Sequence, residues 1–296
     1  MHDWRVTLAL WTAVVIWSGS FLGTRVLVLQ IPPFTAAAVR FALAAVLLLV
    51  ALWLAGGKFP ALPRRAWWGV TLYGSLAVTL GYALENVGMQ RTSAGNSSVI
   101  ISLIPAVTIV LARFVLGELL TVRQWAGVAL ATAGSLLLVG QGQAIGLSDP
   151  LGDALLFLTT IVNALSGIVG KRNLATVPPL LNVAWGFAIG TVLFLPFVLW
   201  EWAFTPFTWN LDTRGGIALA YLSILASAAA YSVFYWAMAR TTLVQAALPN
   251  YFTCVLTLGL SAVLLGETLT IGRVLAACVV IAGLVLASRR PVVQSQ

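Results

Sequence analysis

Apolar residues run along this chain in stretches of about twenty, separated by short polar segments. A helix rising about 1.5 Å per residue needs about 20 such residues to cross a hydrocarbon layer roughly 30 Å thick. Ten stretches qualify: 4–25, 33–55, 66–87, 94–114, 121–140, 151–170, 179–200, 215–237, 243–264 and 269–288. The breaks carry turn and charge signals, as in GGKFPALPRR at 56–65 and GQGQAIGLSDP at 140–150. Barrel strands would alternate in polarity, and these runs do not. The first run, behind Arg5, resembles a secretory leader, but no clean small-x-small cleavage pattern follows, so it is predicted to be the first span. The pattern predicts an all-α integral membrane protein with ten transmembrane helices.

Composition agrees. The chain has 296 residues, is 60% hydrophobic and only 8% charged. Soluble domains carry about a quarter charged residues, so lipid is the expected solvent and the bilayer the first partner. The net charge of +8 comes from Lys and Arg between the apolar runs, which argues against a nucleic-acid surface. With the N-terminus inside, eleven of the sixteen basic residues fall on the cytoplasmic side and four outside, with Arg40 within a span. The positive-inside rule therefore places both termini in the cytoplasm. Cys254 and Cys278 lie within apolar runs and read as small core residues. No metal site or cofactor is expected.

The chain also repeats itself. Shifted by 149, residues 91–139 meet 240–288 without a gap, and 12 of 49 positions are identical. The identities include Arg91/Arg240, Thr92/Thr241, Thr121/Thr270 and Gly134/Gly283. They also include LGE at Leu116-Gly117-Glu118 and at Leu265-Gly266-Glu267; Tyr82 and Tyr231 share the offset. Residues 1–145 and 146–296 are thus read as two five-helix repeats. Five is odd, so the second starts from the opposite side of the membrane, the inverted-repeat plan of many secondary transporters. Gly117-Glu118 and Gly266-Glu267 mark the turn before the last helix of each repeat, where a carboxylate suits free helix amides. On this reading the two glutamates lie on opposite faces, as structural marks of duplication.

WSGSFLGTR at 17–25, PPFTAAAVRFALA at 32–44 and the paired LGE motifs resemble the drug/metabolite transporter superfamily, specifically its bacterial EamA-type exporters. The resemblance spans the chain. It implies the ten-helix fold, a bacterial inner-membrane location and export of small metabolites, often amino acids. The small multidrug branch of that superfamily has a carboxylate in its first helix, whereas this chain has TLALWTAVVIWSGS at 7–20.

Polar residues at membrane depth are the informative ones. The cavity-lining candidates are Trp17 and Ser18 on the first helix, Arg40 on the second, Tyr82 and Asn86 on the third and Asn96 on the fourth. The second repeat adds Asn163, Trp185 and Tyr231, with Asn250 and Tyr251 beside Pro249, where a broken helix frees carbonyls. Each has a structural alternative: Asn and Ser bond between helices at about 0.6 kcal/mol, Trp and Tyr form interfacial belts, and Arg40 snorkels. Arg40 meets Gly186 or Phe187 in the second repeat, so its role belongs to one half. All eight acids are expected at helix ends or in loops, Glu85 near the outer end of the third helix and Glu201 after the seventh. That points to passive passage of a neutral or zwitterionic solute. Phosphorylated or sugar-nucleotide solutes would need clustered cavity cations, and Arg40 stands alone. HExxH, GxSxG and P-loop patterns are absent, so an enzyme is not expected. Both halves are fused, so a monomer suffices.

Overall fold

A computed structural model of the chain describes residues 3–58, 61–91, 100–140, 149–205, 209–265 and 270–288. Its regular structure there is helical: α1 (Trp4–Val28), α2 (Pro33–Gly56), α3 (residues 67–91), α4 (Ile104–Val115) and α5 (Val122–Gly140). The second half has α6 (Pro150–Asn173), α7 (Pro179–Phe204), α8 (Thr213–Met238), α9 (residues 243–265) and α10 (Ile271–Ser288). Among the described residues, seven helices are long and apolar enough to cross a membrane: α1, α2, α6, α7, α8, the first 18 residues of α9, and α10. The shorter α4 is also apolar.

Local chemistry explains the ends. Pro33, Pro150 and Pro179 open α2, α6 and α7 at positions where a missing N–H costs nothing. Asp3, Asp149 and Asp212 cap α1, α6 and α8 through their carboxylates. Gly57, at φ 63°, ends α2 and donates to the Trp53 carbonyl at 2.8 Å. Apolar residues lie all round these helices. Leu8, Leu54, Trp68, Val192 and Val263 face outward, each more than half exposed. In water such a surface would aggregate, and in a bilayer it is the solvated face.

Two helices change pitch. α3 passes through a π-helical stretch at Ser75–Leu80, and α8 through one at Tyr221–Ala229. The 149-residue offset carries the first onto the second. π turns release backbone carbonyls from the regular ladder. As the sequence predicts, α9 is also interrupted, by a 3₁₀ turn at Leu248–Tyr251.

Packing pairs helices across the chain midpoint: α2 with α7, α5 with α10, α1 with α8 and α3 with α6. In the α5–α10 pair, a Cβ on Gly283 would lie 2.8 Å from Ala131 Cα, and one on Gly134 would lie 2.7 Å from the Val280 nitrogen. These two approaches are mirror versions of one contact, since 134/283 and 131/280 both differ by 149. Glycine permits them because it places no side chain between the backbones.

The LGE turn differs from expectation. Gly117 takes φ 69°, and Glu118 does not cap the helix that follows it. The Glu118 carboxylate accepts hydrogen bonds from the Leu243 and Val244 amides at 2.6 and 2.8 Å, at the start of α9. Thr121 and Gln124 cap α5 instead, Gln124 Oε1 accepting from the Thr121 amide at 2.9 Å. Lys171 closes the adjoining end of α8 by donating to the Met238 and Thr241 carbonyls. Gly266 and Glu267 lie outside the described residues.

Glu201 is a second correction. It sits within α7 and is only 3% exposed. Its carboxylate accepts from the Phe34 and Thr35 amides at 2.9 and 2.8 Å and from the Thr35 hydroxyl at 2.7 Å. A buried carboxylate is tolerable here because the free N-terminal amides of α2 satisfy it.

Candidate functional site

Where α1, α2, α3, α7 and α8 meet, aromatic side chains form a connected wall. Trp17 and Tyr231 are 5.1 Å apart between ring centroids, Tyr231 and Phe187 5.1 Å, Phe187 and Phe41 4.9 Å, and Phe41 and Tyr82 4.9 Å. All four contacts are edge-to-face, the geometry ring quadrupoles favour. Phe234 joins against Trp17 at 5.1 Å. The wall draws on residues from both halves of the sequence.

The π stretch of α8 supplies its polar fixings. Trp17 Nε1 donates to the Ala226 carbonyl at 2.9 Å. Arg40 Nε donates to Ser227 Oγ at 2.7 Å. Arg40 is 7% exposed, and its guanidinium lies 5.1 Å from the Phe41 ring centre and 5.9 Å from that of Tyr82. Among the described residues it is the one buried Lys or Arg. It makes no further hydrogen bond or ion pair to a described residue. Its charge acts on Tyr82, Glu85, Tyr221 and Tyr231.

Trp17, Arg40, Tyr82 and Tyr231 therefore come together. Asn86 lies one turn beyond Tyr82, with a buried amide nitrogen that has no acceptor. Asn163 donates to the Thr159 carbonyl at 3.1 Å within α6 and borders Gly81, just past the π stretch of α3. Ser18 is 1% exposed, and its carbonyl accepts from Thr257 of α9 at 3.1 Å. Asn250 has a buried oxygen without a donor. Asn96 lies outside the described residues.

Two candidates are placed elsewhere. Trp185 packs against Trp67 at 5.5 Å and joins the separate cluster of Leu62, Ala66, Val70, Val177 and Leu181. Tyr251 spends its hydroxyl on Thr132 of α5 at 2.7 Å, tying the α9 break to α5. Both follow from helix rotation, which span-level reading does not resolve.

The sequence reading missed Phe41, Phe187, Ser227 and the Ala226 carbonyl. Phe187 was visible only as the counterpart of Arg40. Ser227 carried no signal in an Ala/Ser-rich run. The placement of Glu85 is also corrected: the described part of α3 runs on through Arg91, so at least six helical residues follow Glu85. Among the described residues, no three His, Cys, Asp or Glu side chains gather to hold a metal.

Comparison with known proteins gives this arrangement its relatives. A protein of Archaeoglobus fulgidus named as an uncharacterized transporter is 33% identical over 237 residues, covering 79% of this chain and 80% of its own. The Escherichia coli K12 inner membrane transporter YedA, also named as uncharacterized, is 28% identical over 279 residues, covering 94% of this chain and 89% of its own. One solved structure superposes with a TM-score of 0.81 at 20% identity, covering 96% of each chain, a likeness of fold. The profile of the EamA-like transporter family matches residues 4–140 and again 150–289. This chain is a membrane transporter that belongs to the EamA-like family of the drug/metabolite transporter superfamily.

Proposed function

We propose that this protein exports small neutral or zwitterionic metabolites, such as amino acids, across the bacterial inner membrane by alternating access. Ten spans form two inverted repeats, residues 1–145 and 146–296, with both termini cytoplasmic. The observation that carries the reading is the aromatic wall around Arg40, which joins α1–α3 of one repeat to α7 and α8 of the other. Solute held there is gripped by both halves, and rocking one half against the other exposes it to each side in turn.

The twofold matching of the family profile supports the two-repeat division. The paired π stretches, and the antiparallel approach of α5 and α10 with contacts related by the 149-residue offset, support the inversion. Outward direction follows the family resemblance. Arg40 as the one buried Lys or Arg among the described residues favours one anionic group per solute over a phosphate cluster. Catalysis is not part of the reading. A monomer is sufficient, because both halves of the pathway lie in one chain.

Purified protein in liposomes, assayed for flux with a panel of amino acids and neutral metabolites, tests the proposal. Saturable flux of at least one amino acid is expected. Flux confined to sugar phosphates or nucleotide sugars would refute it. An imposed pH gradient in the same assay decides coupling: passive passage predicts no uphill movement.

A further inference from the structure

Arg40 and Glu85 are opposite charges on consecutive helices, α2 and α3. α2 begins at Pro33, and Arg40 is seven residues inside it; Glu85 lies on α3, which is helical on both sides of it through Arg91. Tyr82 stands between them: Arg40 lies 5.9 Å from its ring centre, and Glu85 is three residues on, along the same side of α3.

The two charges act on one another but do not form an ion pair within 4.0 Å. Glu85 is half-buried and makes no hydrogen bond to a described residue. The guanidinium is held by Nε alone, which leaves both terminal nitrogens without a described acceptor. Burial of polar and charged groups is normally compensated by protein partners. Here the two terminal nitrogens of Arg40, the Glu85 carboxylate and the Asn86 amide nitrogen have no hydrogen-bond partner among the described residues, and Glu85 and Asn86 lie one turn along α3 from Tyr82, whose ring Arg40 faces. A ligand that carries both charges at short separation would satisfy all three.

We propose that Arg40 and Glu85 form one dipolar subsite, in which Arg40 takes a solute carboxylate and Glu85 takes its ammonium group. The planar fork of the guanidinium suits a carboxylate in bidentate fashion. The free-ended carboxylate of Glu85 accepts from an ammonium. Phe41, Tyr82, Phe187 and Tyr231 then provide an apolar wall for the rest of the solute. Glu85 becomes the residue that separates amino acids from simple carboxylic acids. This rests on the transport reading above and assigns its solute-recognition groups.

The test uses the whole 296-residue chain in liposomes with three related probes: phenylalanine, phenethylamine, which lacks the carboxylate, and 3-phenylpropionate, which lacks the ammonium. Wild-type protein is expected to bind phenylalanine about tenfold or more tightly than either fragment, the size of one charge-assisted hydrogen bond. Glu85→Gln should raise the half-saturating concentration of phenylalanine about tenfold and leave that of 3-phenylpropionate unchanged or lower. Arg40→Gln should weaken phenylalanine equally and spare phenethylamine. If Glu85→Gln weakens phenylalanine and 3-phenylpropionate alike, Glu85 does not hold the ammonium and the proposal falls. If Glu85→Gln fails to fold, competition by the three probes against labelled phenylalanine on wild-type protein decides: equal competition by 3-phenylpropionate overturns the assignment. Wild-type protein that moves no amino acid overturns this proposal and the transport reading together. Flux of phenylalanine without fragment discrimination overturns this proposal alone.

Discussion

Glu118→Ala removes both acceptors from the first amides of α9, and the loss can be sized from the structure. The bonds to Leu243 and Val244 are 2.6 and 2.8 Å, in the range of charge-assisted pairs. Each such bond is worth roughly 1.5–3 kcal/mol when nothing replaces it. Glu118 is only half-buried, so water recovers part of that. Loss of a helix N-cap typically costs about 1 kcal/mol. Between these bounds, about 2 kcal/mol is expected for Glu118→Ala and about 1 kcal/mol for Glu118→Gln, which keeps one oxygen. The bond joins the α4–α5 turn to α9, so the cost falls on the junction of the two halves. Thermal unfolding in detergent, followed by tryptophan fluorescence, should fall by about 4–8 °C for the alanine variant and about half that for glutamine. Thr121→Ala, which removes only the local cap of α5, should cost less than Glu118→Ala. A Glu118→Ala midpoint within about 1 °C of wild type would refute the cross-chain cap.

Other predictions follow from the same packing. Gly283→Val drives a side chain into the Ala131 and Gly127 backbones and should cost about 1–3 kcal/mol, seen as lower monodispersity and midpoint. Gly259→Ala, where no atom lies within 4 Å of the new Cβ, should be neutral or stabilise by about 0.5–1 kcal/mol in the same measurement. Trp17→Phe keeps the ring but loses the bond to the Ala226 carbonyl, so stability should drop by only about 0.6 kcal/mol, while half-saturation for the solute rises. Asp212 lies in the loop ahead of α8, where the Gly215 amide first and the Gln30 side chain second hold its carboxyl below the ordinary aspartate range. A depressed value favours the folded state above the unfolded pKa, and the benefit is lost as pH falls through the folded one. The midpoint difference between wild type and Asp212→Ala should therefore be constant from pH 7 to about 5 and shrink below about 4. A difference that grows on acidification would contradict that capping role.

Helix placement was legible because the bilayer imposes one requirement on every span: enough consecutive apolar residues, with backbone groups bonded internally. That requirement depends on local sequence alone. Thus α2, α7 and α8 begin and end within a few residues of the predicted stretches, and Pro249 breaks α9 where expected. The 149-residue repeat was equally legible, since gapless polar identities such as LGE survive in the letters themselves. Arg40 stood out for the same reason, as a charge inside an apolar run.

What tertiary structure decided is which side of each helix meets which neighbour. A helix apolar all round has no sequence signal for its buried face, so Trp185 and Tyr251 looked like Trp17 and Tyr231 until the helices packed. Only packing could turn Glu118 towards α9, bury Glu201 against the amides of α2, and bring Ser227 to Arg40. Sequence determined where the apolar helices lie, the 149-residue repeat of letters and the charge of Arg40 within an apolar run, because each is a property of consecutive residues. The three-dimensional fold determined the candidate site, because its wall is made of residues scattered over five helices that only close interhelical approach brings together.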